Sequence, residues 1–122
     1  MNENRKKQLL LKYKYRKPEM GIIYFKCILT EDIFTDISND TKANINSNIF
    51  KLKGNLHPNY TLQRLWNEYK EDGFEVGVYE VLPYDEKDKD KDKDDYTKEL
   101  NALYERVLRK LPNARRINNG KQ

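Results

Sequence analysis

Apolar positions along the chain change period several times, and each change marks an element. From Gly21 onward, Ile22-Ile23-Tyr24-Phe25-Lys26-Cys27-Ile28-Leu29 is almost continuously β-branched or aromatic, which predicts a largely buried strand. Ile33-Phe34-Thr35-Asp36-Ile37 reads as a second strand, and the intervening Thr30-Glu31-Asp32 is short enough to make the pair a hairpin. Beyond Ser38-Asn39-Asp40, which offers several N-cap candidates, Ile45, Ile49 and Leu52 recur at helical spacing as far as Gly54. Asn55 to Asn59 contains Pro58 and reads as a loop. Leu62, Leu65, Trp66 and Tyr69 then fall at i, i+3, i+4 and i+7, a clear amphipathic stripe that Asp72-Gly73 stops. Phe74 to Leu82 supplies Val76, Val78 and Val81 for a third strand. Tyr96, Leu100, Leu103, Tyr104, Val107, Leu108 and Leu111 keep helical spacing through the longest periodic stretch, which Pro112 closes.

Ahead of these elements, residues 3–15 are rich in helix formers, with Leu9, Leu10 and Tyr13 among lysines, and Pro18 ends the run. The expected organisation is a basic N-terminal helix over 1–18, a single domain over 19–112 and a flexible polar tail over 113–122. Within the domain, 84–95 reads as a charged linker because Asp85 to Asp95 has no apolar residue to bury. The order is a helix followed by ββααβα. That predicts an α+β fold: a small three-stranded antiparallel sheet with flanking helices.

Length and charge narrow the function classes. A chain of 122 residues, 37% hydrophobic and 36% charged, supports one modest core under an ion-dense surface. No run reaches the length of a membrane span and Leu9 to Leu11 is too short for a secretory signal, so the expectation is a cytoplasmic protein with no membrane partner. The single cysteine, Cys27, excludes an internal disulfide and a multi-cysteine zinc site, and its apolar neighbours make it a buried small hydrophobe. Formal charge is +4; the Asp85 to Asp95 stretch holds seven acids and four lysines, so the remainder carries +7. A basic body suits contact with a phosphate backbone, and equally describes an ordinary solvated surface. Lys42, Lys51 and Lys53 with Arg64 form a candidate basic face over the two central helices, near Glu68, Glu71 and Asp72. His57, the single histidine, precedes Pro58 in a loop, where it is either a plain surface residue or a contact to a ligand or phosphate. Asp88, Asp90, Asp92 and Glu99 mimic calcium-loop spacing, but Lys93 stands where such a loop needs glycine.

One set of residues carries a family resemblance. Asn59-x-x-Leu62-Gln63-x-x-Trp66-Asn67-x-Tyr69, then Phe74 and a strand ending Val81-Leu82, resembles the second helix and third strand of the GIY-YIG nuclease superfamily. Gly21-Ile22 followed by Tyr24 resembles a loosened GIY motif, Phe34-Thr35-Asp36 falls where the YIG motif belongs, and the last helix matches the family's C-terminal helix. In intact members the resemblance implies a hairpin tyrosine, an arginine on the first helix and a glutamate on the later helix acting together in phosphodiester hydrolysis. They serve as base for the attacking water, cation for the scissile phosphate and ligand for one divalent metal, roles that a proton-losing nucleophile and a charged phosphorane require.

Those positions are mostly replaced here. Ile23 and Tyr24 occupy the first motif, Phe34 removes the second motif's hydroxyl and Asp36 replaces its glycine. Asn44 stands where the arginine is expected and Asn48 one turn on, where many members have a histidine; aligning Tyr104 with the family's aromatic residue puts Asn101 at the metal glutamate. Asparagine can bond a phosphate oxygen but brings no charge. The reading that follows is a GIY-YIG-like domain that is catalytically inactive and acts as a nucleic-acid-binding or regulatory module, with no cofactor and with DNA or RNA contacts at Lys42, Lys51, Lys53, His57 and Arg64. Two alternatives stay open. One is an endonuclease with a relocated site of Tyr24, Lys42 and Glu105, using Mg or Mn on Glu105. The other is a protein-interaction module whose partner docks on the N-terminal helix.

Overall fold

The computed structural model describes residues 17–88 and 90–118. The expected N-terminal helix lies outside the described residues. Strand β1 (Met20–Cys27) and strand β2 (Ile33–Ser38) form the hairpin, followed by helix α1 (Thr41–Lys53), helix α2 (Tyr60–Tyr69), strand β3 (Phe74–Leu82), helix α3 (Thr97–Lys110) and a short strand β4 (Arg115–Arg116). The sheet order is β3-β1-β2-β4. β1 is antiparallel to both β2 and β3, whereas β4 runs parallel to β2, pairing Phe34 with Arg115 and Thr35 with Arg116.

The three antiparallel strands are as the sequence predicts, and the fourth corrects the expectation of a purely antiparallel three-stranded sheet. It also corrects the expectation of a tail that frays directly after the last helix. Ile117 is buried, its N–H donates to Thr35 O at 2.9 Å, and the segment through Asn118 is thereby seated on the edge of β2. A parallel partner has to cross back over the sheet, and α3 provides that crossover.

Each boundary has a local cause. β1 stops at Cys27 rather than Leu29 because the hairpin closes there: Cys27 N–H donates to Asp32 O and Glu31 N–H to Cys27 O, both at 2.8 Å. Glu31 takes a left-handed φ of 65° to make the turn, and Ile28 and Leu29 are left exposed. Asp40 caps α1 by accepting from Ala43 N–H at 3.2 Å, and Lys51 and Lys53 in the last turn complement the helix dipole. Asn59 caps α2 three residues before the first apolar stripe position, accepting from Leu62 N–H at 3.1 Å. The strand pairing shifts between Ile22 and Ile23, so that Ile22 faces Glu80 and Ile23 faces Val78. At this bulge only a glycine fits at position 21, where a β-carbon would lie 2.0 Å from Glu80 O.

The sheet carries helices on both faces. Ile23, Phe25, Cys27 and Phe34 pack with Leu52, Leu62, Leu65, Trp66 and Phe74 against α1 and α2, and Ile117 closes this cluster. Ile22 faces the other way and packs with Leu103, Tyr104 and Val107 of α3, with Met20, Tyr96 and Leu100 continuing the layer. The charged stretch after Leu82 is mostly exposed, as its composition predicts, until a short 3-10 turn (Lys93–Tyr96) leads into α3. There Asp92 caps with Asp95, and Glu99 forms an ion pair with Lys91. Among the described residues, no helix is long and apolar enough to cross a membrane.

Candidate functional site

A cleft of about 570 Å³ opens between α1, the loop before α2, the start of α3 and the segment that follows β4. The sequence positions singled out as remnants divide sharply around it. Asn44, Asn48 and Asn101, which stand at the expected arginine, histidine and glutamate positions, all line the cleft, as do Asp36, Lys51 and His57. Ile23 and Phe34 are wholly buried in the core, and Tyr24, Lys42, Lys53, Arg64 and Glu105 do not line it.

The cleft wall is a hydrogen-bonded chain of side chains. Asn48 Nδ2 donates to Asn44 O and Oδ1, each at 2.9 Å, which fixes both amides on one face of α1. Asn48 Oδ1 meets His57 Nε2 at 2.7 Å, and the Asn59 N–H donates to His57 Nδ1 at 3.0 Å. Because Nδ1 accepts, the proton of the neutral ring sits on Nε2 and is donated to Asn48. Burial, and next the positive charge of Lys51, lower the His57 pKa to about 4, so the ring is neutral at physiological pH. Asn59 continues the chain, its Nδ2 donating to Arg116 O and Ile117 O at 3.0 Å each. Gln63 braces the same loop, accepting from His57 N–H at 2.9 Å and donating to Leu52 O at 3.0 Å. His57 is therefore not a plain surface loop histidine. Both its nitrogens are occupied, and it positions Asn48 rather than offering a cation to phosphate.

Positive charge in the cleft comes from Lys51 and Arg116. Arg116 is a residue that the sequence pattern did not single out. Its Nε donates to Asp36 Oδ1 at 3.1 Å and its guanidinium lies 5.1 Å from the centre of the Tyr104 ring. Tyr104 is fixed in turn, its hydroxyl donating to Thr35 O at 3.2 Å and meeting Thr35 Oγ1 at 3.0 Å. The available signal was Ile117, the one large apolar residue in a polar tail, whose burial brings Arg116 to the cleft.

None of the relocated-site residues, Tyr24, Lys42 and Glu105, lines the cleft. The Tyr24 hydroxyl donates to Glu75 Oε2 at 2.7 Å on β3, and this bond, followed by burial and the Glu75 charge, raises its pKa. A raised pKa leaves less of the phenolate form that a general base requires. Lys42 and Glu105 are exposed away from the cleft, and Lys53 pairs with Glu71 at 3.3 Å.

A divalent cation of the kind the resemblance implies needs anionic oxygen. Asn101 presents a neutral amide. Asp36, the carboxylate on the cleft wall, already accepts from Arg116 Nε, from Ile37 N–H at 2.9 Å and from Asn118 N–H at 3.0 Å. Among the described residues, no group of three His, Cys, Asp or Glu side chains is placed to hold a metal ion. The residues that line the cleft do not fit the metal.

Comparison with solved structures places this architecture. The catalytic domain of intron endonuclease I-TevI, in a mutant form, superposes with a TM-score of 0.56 at 21% identity, over 84% of this chain and 97% of its own. The chain shares the fold of that catalytic domain, which supports the GIY-YIG-like resemblance. A further structure, the catalytic domain of homing endonuclease I-TevI, aligns at TM-score 0.49 and 24% identity over 70% of this chain and 91% of its own. No protein-family model and no curated protein matches the chain. Asn44 and Asn48 of α1 and Asn101 of α3 thus line one cleft.

Proposed function

We propose that this GIY-YIG-like domain binds nucleic acid through the cleft without cutting it. The observation that carries the reading is the make-up of the cleft: two cations, Lys51 and Arg116, and the amides of Asn44, Asn48 and Asn101, with the one lining carboxylate, Asp36, engaged by Arg116. Such a surface offers donors to phosphate oxygen, while nothing in it is built to activate water or to hold a divalent ion. Lys42, Lys53 and Arg64 lie outside the cleft and would add only peripheral charge; DNA and RNA are both accommodated by this chemistry, and no cofactor is required.

The test is fluorescence anisotropy with labelled DNA and RNA across a salt series, beside plasmid incubation with Mg²⁺ or Mn²⁺. The expected result is binding that weakens steeply with salt and leaves the plasmid intact. Absence of binding at low salt removes the proposal. Cleavage that Tyr24→Phe or Glu105→Gln abolishes would establish the relocated-site endonuclease instead.

A further inference from the structure

A second hollow, of about 420 Å³, adjoins the cleft on the far side of the His57-Pro58 wall, and both concavities are lined by these two residues. Its other side is α2. Tyr60, the first residue of that helix, is 77% exposed, an unusual placement for a large aromatic ring. Arg64 follows one turn later on the same face and also lines the hollow. The floor is fixed: Gln63 Nε2 donates to Asn67 Oδ1 at 2.9 Å and Asn67 Nδ2 to Asn55 Oδ1 at 3.0 Å. Tyr60 itself sits directly after the Asn59 cap, which is clamped to the β4 segment and to His57. The ring is thus presented from a rigid base, with Arg64 beside it and Lys51 on the cleft side of the wall.

We propose that this hollow is a stacking site for an unpaired nucleobase, with Tyr60 as the platform and Arg64 supplying charge at its edge. The inference rests on the nucleic-acid reading of the cleft and adds the form of nucleic acid. A strand whose phosphate sits against Lys51 and Arg116 crosses the His57-Pro58 wall and delivers its next base to Tyr60. A base paired within a duplex has no free face to offer. Single strands are therefore the ligand, because every base has a π-face and stacking is tolerant of sequence.

The experiment uses the full chain and three labelled probes of about twelve nucleotides, matched to a single binding surface: a deoxyuridine strand, a uridine strand and a blunt DNA duplex. Single strands are expected to bind more tightly than duplex, with the tighter of the two naming the preferred sugar. Tyr60→Ala is expected to weaken single-strand binding roughly tenfold, while Tyr60→Phe, which keeps the ring, stays within about twofold of the native chain. The salt slope should be unchanged in Tyr60→Ala and smaller by about 0.7 in Lys51→Gln, since only the latter removes a phosphate contact. Duplex bound as tightly as single strands, or Tyr60→Ala binding like the native chain, overturns the stacking site and leaves the cleft reading intact. No binding of any probe overturns both.

Discussion

Exchanging His57 for glutamine should change how the stability of the domain depends on pH, because the histidine is held neutral in the fold and titrates freely when unfolded. Its folded pKa is about 4 against an ordinary 6.5, burial being the larger cause and Lys51 the smaller. The unfolded chain therefore binds the extra proton first as pH falls. The stability contributed by the neutral ring is complete above about pH 6.5 and drains away progressively toward pH 4. Each unit of that interval is worth about 1.4 kcal/mol, so going from near pH 7.5 to near pH 5 costs about 2 kcal/mol, reduced to between about 1 and 2 by water in the adjoining cleft. In His57→Gln the side chain can still donate to Asn48, but the Asn59 N–H loses its acceptor, at a cost of about 1 kcal/mol near neutral pH. The variant should thus be the weaker protein near pH 7.5 and equal or exceed the native one near pH 5. Urea unfolding followed by the fluorescence of Trp66, the single tryptophan, buried with its ring 5.2 Å from that of Phe74, measures this across the pH range. The carboxylates titrate in both proteins and cancel in the difference. Parallel stability curves would refute the argument, since they would mean that His57 is charged, or free, in the folded state.

Other expectations follow from the seating of the C-terminal segment and from the bulge. Ile117→Ala, at a site only 2% exposed, should cost about 2 to 4 kcal/mol in urea unfolding, and should raise hydrogen exchange at the Asn59 amide group more than at β1. If the loss stays below about 0.5 kcal/mol, β4 is not part of the cooperative fold. Gly21→Ala should abolish or severely weaken folding, because the added methyl would meet Glu80 O at 2.0 Å with no flexible side chain to yield; a native-like circular dichroism melt would contradict this.

The cleft depends on a continuous polar relay that joins distant parts of the chain. Asn44 and Asn48 belong to α1, His57 and Asn59 to the loop and cap of α2, and Arg116 and Ile117 to β4 and the residue after it. Buried polar groups are costly unless paired, and every member here has a partner. This is a structural use for residues that a family comparison reads only as catalytic losses. Asn48, for instance, keeps a donor and an acceptor where charge is absent, and both are in use.

What the sequence determined by itself was every element whose apolar positions repeat. The 3.6-residue stripes of α2 and α3 and the β-branched runs of β1 and β3 are local patterns that dictate which face is buried, so element type and order could be read from them. The signature over 59–82 reads correctly for the same reason: Asn59 is a cap, and Leu62, Leu65 and Trp66 are core. Only the tertiary structure decided the fourth strand, because two residues of β4 carry no period and the pairing is made by β2, some eighty positions earlier. Tertiary packing also decided that His57 is buried and neutral, that Arg116 enters the cleft, and that Tyr24 is turned to Glu75 and not to Lys42 or Glu105. Burial and long-range hydrogen bonds depend on which segments meet, and that information is spread over the whole chain. The pattern of apolar and polar positions thus specifies the scaffold, while the charge and shape of the cleft belong to the fold as a whole.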